Sequence, residues 1–103
     1  MRRALILLLL IFLLPAAVHP QQNKKHSVTL KWNAPIAGER VVGYNIYRSD
    51  KENGHYGLIA KRVKALTYVD TAVQSGHTYY YKVTSRDAKG RESTAATTKA
   101  AVP

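Results

Sequence analysis

Thr78-Tyr-Tyr-Tyr-Lys-Val-Thr-Ser85 decides the fold. Tyr79, Tyr81 and Val83 alternate with Tyr80, Lys82 and Thr84, a period of two that places the first set on one face of a β-strand and the second on the other. Ser75-Gly76 turns the chain into this run, and Arg86-Asp-Ala-Lys-Gly-Arg91 closes it as a hairpin loop. The same period recurs upstream. Ser27-Val-Thr-Leu-Lys-Trp32 sets Val28, Leu30 and Trp32 against Thr29 and Lys31, and residues 41–48 set Val42, Tyr44 and Ile46 against Gly43, Asn45 and Tyr47. Pro35 and Gly38 break the chain between these two strands, and Ser49-Asp-Lys-Glu-Asn-Gly54 follows as a polar turn, since Asn-Gly tolerates positive φ. Residues 56–60 and 67–70 read as short third and fourth strands, the latter carrying Tyr68 inward, and residues 93–102 as a weaker last strand. Six short strands with frequent turns and no helical period predict an all-β antiparallel sandwich. Its expected core is Val28, Leu30, Trp32, Tyr44, Ile46, Tyr68, Tyr79, Tyr81 and Val83.

The N-terminus reads differently. Met1, Arg2 and Arg3 form a positive head, residues 4–14 are apolar without interruption, and Pro15, Ala16 and Ala17 close the run. That three-part plan is an export signal, expected over residues 1–22, with cleavage after Ala17 or after His19 both open. The run is too short for a membrane-spanning helix, which needs roughly 20 apolar residues, so membrane contact is expected only if the signal is retained. Removing 22 of 103 residues leaves a single domain of 81, small for an enzyme that must build both a core and a pocket. There is no cysteine, so packing alone must hold it. The chain carries a formal charge of +10, and losing Arg2 and Arg3 would leave +8.

The sandwich residues resemble a fibronectin type III domain, with the match covering residues 26–103. Its carriers are Ser27-Val-Thr-Leu-Lys-Trp32, Gly43-Tyr-Asn-Ile-Tyr-Arg-Ser49, Tyr68-Val-Asp-Thr71, Gly76-His-Thr-Tyr-Tyr-Tyr-Lys-Val83 and Asp87-Ala-Lys-Gly-Arg-Glu-Ser93. The pattern is similar to the bacterial branch of that family. The resemblance implies an immunoglobulin-like antiparallel sandwich, with Trp32 between the sheets and Tyr79 as the tyrosine corner whose hydroxyl meets backbone a few residues upstream. One departure stands out. Only Gln21-Gln-Asn-Lys-Lys25 separates the leader from the Trp32 strand, so the family's first strand is expected to be short or missing. The Trp32 strand would then present an open edge, through which the chain could self-associate or pair with another protein, unless Lys24 and Lys25 guard it.

Catalytic chemistry is not legible. Glu39, Asp50, Glu52, Asp70, Asp87 and Glu92 are scattered, and His26, His55 and His77 lack metal-ligand spacing. Asp70 reads as a turn cap beside Thr71. No phosphate loop, Asn-x-Ser/Thr site or Arg-Gly-Asp adhesion tripeptide occurs, so no enzyme activity, metal or other cofactor is expected. The expected function is therefore a secreted, periplasmic or cell-surface module that recognises another protein. The alternative is electrostatic binding of acidic envelope polysaccharide or lipid headgroups through Lys61, Arg62, Lys64, Lys89 and Arg91. Nucleic acid is disfavoured by the export signal and the lack of a reading motif. A third surface is the outer face of the long strands, where Tyr47, Tyr80 and Lys82 with Asn45 and Thr84 are expected to meet solvent and could stack on sugar rings. Ordinary cross-strand pairing would place the same residues there.

Overall fold

The computed structural model describes residues 8–14, 25–35 and 40–103. Among the described residues, seven strands run in the order β1 (Leu8–Leu14), β2 (His26–Asn33), β3 (Val41–Ser49), β4 (Gly57–Val63), β5 (Thr67–Val73), β6 (Thr78–Asp87) and β7 (Ala96–Ala101). They form two antiparallel sheets, β1-β2-β5 and β4-β3-β6-β7. The core lies between them. Val28, Leu30 and Trp32 from β2 face Tyr44 and Ile46 from β3 and Tyr79, Tyr81 and Val83 from β6, with Val73, Ala100 and Val102 at the ends. Tyr68 is only partly buried and packs against the margin of this cluster. A backbone irregularity between Val41 and Gly43 changes which valine turns inward, so Val41 rather than Val42 packs on the core.

The first strand is a correction to the sequence reading, which expected it to be short or missing. Leu8–Leu14 pairs along β2 over seven positions, from Leu8 opposite Asn33 to Leu14 opposite Ser27. An apolar run with no turn residue can satisfy the free N–H and C=O groups of a strand edge as well as it can serve as a leader. The edge expected to be open is therefore covered in the full chain. The rest of the leader pattern and residues 15–24, including Lys24, lie outside the described residues.

β4 is longer than the alternation suggested, because Lys61, Arg62 and Val63, expected in a connection, continue the strand to pair with Tyr44. Arg62 adopts a positive φ of 56°, and its N–H donates to the Asn45 side-chain carbonyl at 3.1 Å. Gly43 makes room for this bulge, since a Cβ there would sit 2.8 Å from the Arg62 Cα. A bulge and two cations on an edge strand also discourage further strand addition.

The sheets are tied together by polar contacts as well. Arg48 Nη1 of β3 lies 2.9 Å from both carboxylate oxygens of Asp70 on β5, and the Tyr81 hydroxyl donates to Asp70 Oδ2 at 2.7 Å. Asp70 also accepts the Ala72 N–H at 3.1 Å, so its turn-capping contact is one part of a larger buried network. The Tyr79 hydroxyl accepts the Gln74 N–H at 3.0 Å and pins the turn into β6. Beside it, Gly76 at φ 81° donates its N–H to the Val102 carbonyl.

Candidate ligand face

The outer face of the four-stranded sheet is built in rows set by register. Tyr47 lies between Leu58 and Lys82, Lys82 is followed by Thr97, and Tyr80 stands between Ser49 and Lys99. Lys82, two residues along β6 from Tyr80, is therefore a diagonal neighbour of Lys99, about 7–8 Å away by backbone spacing.

The β3–β4 turn folds over one side of these rows. Ser49 Oγ accepts the Lys51 N–H at 3.0 Å and donates to the Lys51 carbonyl at 2.7 Å, while the Tyr56 hydroxyl donates to the Glu52 carbonyl at 2.9 Å. Tyr56 is thereby fixed with its ring 4.1 Å from Lys82 Nζ. The result is an open cleft of about 430 Å³, with Glu52, Asn53 and Tyr56 on one wall, Tyr80 and Lys82 on the floor and residues 97–99 on the other wall. Two tyrosines and two lysines line it, a set suited to stacking on a ring and bonding its oxygens.

Three residues expected on this surface are otherwise engaged. Tyr47 and Thr84 both donate to Glu92 Oε1, at 2.8 and 2.6 Å. Thr84 and Asn45 are buried, although the strand alternation points both outward, because Glu92 and the Arg62 backbone fold over them. Conversely, Tyr56, Lys99 and Asn53 belong to the cleft and were not singled out by alternation. Tyr56 precedes its strand and Lys99 lies in a weakly patterned one, so turn folding for the first and cross-strand register for the second bring them beside Tyr80.

The basic candidates lie at the other end of the same sheet. Tyr44 pairs with Val63 and Val41 with Asp87, so residues 61–64 and the hairpin at 87–91 flank the start of β3. Lys61, Arg62, Lys64, Lys89 and Arg91 are all exposed. Arg91 is not at liberty, because its Nε donates to Asp87 Oδ2 at 2.7 Å, and the Lys89 and Arg91 N–H groups donate to Asp87 Oδ1 at 2.9 Å. The sheet thus separates a tyrosine-lined cleft from an end rich in cations. Among the described residues no group of three or more His, Cys, Asp or Glu could hold a metal ion.

Burial pushes the Glu92 carboxyl up, but the Thr84 and Tyr47 hydroxyls and the Arg86 charge outweigh it and hold the group below its ordinary value. Asp87 is lowered in the same way, with the Arg91 and Lys89 bonds outweighing burial. A depressed folded value means stability that is present above the unfolded carboxylate range, near pH 4.3, and lost as pH falls through the folded value. Melting temperatures of the wild type are therefore expected to drop below about pH 4.3, and those of Glu92→Gln to drop less over the same interval. An unchanged slope in the variant would show that the Tyr47–Glu92–Thr84 contacts do not persist in solution.

Two sheets of this topology around a strand-borne tryptophan and a tyrosine corner define an immunoglobulin-like sandwich. No protein-family model matches the chain. Among solved structures it is similar to an Fn3-like protein from Clostridium thermocellum, at 33% identity and a TM-score of 0.64, over 75% of this chain and 77% of that one. The chain belongs to the fibronectin type III-like family. It is also 44% identical over 66 residues to an amylopullulanase of Thermoanaerobacter thermohydrosulfuricus and 35% identical over 71 residues to chitinase D of Niallia circulans. Those stretches are 64% and 69% of this chain but only 4% and 12% of the two enzymes. It thus resembles a small segment within carbohydrate-active enzymes.

Proposed function

We propose that the chain is an exported, non-enzymatic accessory module that holds polysaccharide on the outer face of its four-stranded sheet. The observation that carries this reading is the cleft in which Tyr56, Tyr80 and Lys82 converge beneath the β3–β4 turn. The relatives support it, since amylopullulanases and chitinases are named for glycans and the shared segment is a minor part of each. How three of the acids are used supports a non-catalytic role: Asp70 neutralises Arg48, Asp87 caps a hairpin and Glu92 accepts two hydroxyls, which leaves none of the three poised for proton transfer in a pocket. The positive head and apolar run of residues 1–22 support export, and with it a place at the cell envelope or outside.

Affinity electrophoresis through gels containing polysaccharide tests the reading. Tyr80→Ser is expected to abolish the retardation of the wild type while leaving its melting temperature within a few degrees, because Tyr80 is only half-buried. Equal retardation of both proteins would remove the cleft from the account.

A second reading, protein recognition by strand addition, is favoured by the position of β1. Release of residues 1–22 would withdraw the strand that covers β2 and leave a row of unpaired backbone groups. Light scattering coupled to size exclusion is then expected to show a monomer for residues 1–103 and a salt-insensitive oligomer for residues 23–103. A monomer in both would exclude self-association through this edge.

A further inference from the structure

We infer that the cleft selects an anionic glycan, with the carboxylate of a uronic acid unit seated between Lys82 and Lys99 and its ring on Tyr80. This rests on the polysaccharide reading above and specifies its ligand. Three features of the cleft point to the class.

The first is charge. Lys82 and Lys99 face a single acid, Glu52, across the cleft, in a chain whose formal charge is +10. A neutral sugar would leave that excess uncompensated, whereas one carboxylate per ring balances it.

The second is placement. Lys82 is not a freely solvated side chain, because its ammonium rests 4.1 Å from the Tyr56 ring centroid and Tyr56 is itself anchored to the Glu52 carbonyl. A cation–π contact of this kind engages one side of the ammonium and leaves its other N–H donors available for a carboxylate. Holding the side chain in advance also lowers the ordering cost of binding.

The third is geometry. Lys99 is the direct cross-strand partner of Tyr80, and Lys82 lies diagonally from Lys99, so the two stems leave adjacent strands beside Tyr80. A ring stacked on Tyr80 would then carry its acid group between the two ammoniums. Thr97, opposite Lys82, adds a hydroxyl for the neighbouring ring oxygens.

Titration calorimetry of the full chain with tetragalacturonate and with maltotetraose, at low salt and again in 0.5 M salt, an ionic strength of about half molar that shortens screening to below about 8 Å, tests the inference. Tetragalacturonate is expected to bind at least about tenfold more tightly than maltotetraose, and Lys82→Gln and Lys99→Gln each to cost about tenfold, the size of one lost charge-assisted hydrogen bond. Salt should weaken the acidic ligand and leave the neutral one unaffected. Lys61→Gln with Lys64→Gln, at the opposite end of the sheet, should leave both affinities within about twofold, since screened charges act locally. If both tetrasaccharides bind equally and the lysine variants change nothing, the anionic preference is overturned and the polysaccharide reading stands. If neither binds, both fail. Loss of galacturonate binding in the Lys61/Lys64 variant alone moves the site to the cationic end and overturns the inference. So does tighter binding to phosphatidylglycerol vesicles than to galacturonate, which would identify a lipid surface. Melting curves of each variant separate loss of binding from loss of fold.

Discussion

Asp70→Ala is expected to lower the unfolding free energy by about 3–5 kcal/mol, the usual cost of leaving one half of a buried pair behind. Asp70 is 2% exposed, and three donors end on its carboxylate: Arg48, Tyr81 and the Ala72 N–H. Alanine would leave the fully buried Tyr81 phenol without that acceptor and the part-buried guanidinium with only the Ala72 carbonyl, at 3.3 Å. Burial and the Asp70 carboxylate push the Tyr81 phenol far above its ordinary value, so that donor stays protonated at any physiological pH and has no ionised form to fall back on. Against a typical total of about 5–15 kcal/mol, such a loss takes a large share of the stability of a small sandwich. Asp70→Asn keeps an acceptor for the backbone and is expected to lose less. Urea denaturation of the three proteins provides the comparison. A loss below about 1 kcal/mol for alanine would mean that the Arg48 contact behaves as a screened surface pair, consistent only with far more solvent around Arg48 than its 25% side-chain exposure allows.

Trp32→Ala should be comparably severe, about 3–5 kcal/mol, through the cavity it opens between the sheets. The indole is 3% exposed and meets the Tyr44 ring edge-on, with centroids 5.4 Å apart and planes at 61°. Phenylalanine separates packing from polarity at this position. The Trp32 Nε1 is buried without a hydrogen-bond partner among the described residues, so Trp32→Phe forfeits no hydrogen bond and, refilling part of the space, is expected to cost about 1–3 kcal/mol, less than alanine. Far-UV dichroism can follow both variants after the fluorophore is gone. A phenylalanine variant as unstable as the alanine variant would show that the indole N–H is bonded after all.

How far the sequence reaches depends on the range of the interaction involved. Alternation along Thr78–Asp87 and His26–Asn33 is local, and the residues it turns inward, from Val28 to Val83, are those the sheets enclose. Asp70 stops looking like a simple turn cap only when Arg48, 22 residues away, and Tyr81, 11 residues away, arrive from the other sheet. The extension of β4 depends on an Asn45 side chain capturing an N–H 17 residues downstream, which no propensity encodes. Glu92 is similar: it lies beyond the hairpin loop, yet it closes over Thr84 and Tyr47 and removes both from the free surface. The apolar run at residues 8–14 carries two compatible signals, since continuous hydrophobicity suits an export leader and an edge strand alike. As for the cleft, Tyr80 and Lys82 are visible from the pattern of one strand, while Tyr56 and Lys99 join them only through turn folding and strand register.

The most direct test of the account is a map of where ligand touches the chain: backbone amide shifts of the isotopically labelled protein during titration with tetragalacturonate. Perturbations centred on Tyr80, Lys82, Lys99 and the turn bearing Glu52 and Tyr56, with residues 61–64 and 87–91 unmoved, are the expected result. Shifts confined to those cationic segments, or none at saturating ligand, would contradict the assignment of the outer-face cleft as the glycan site.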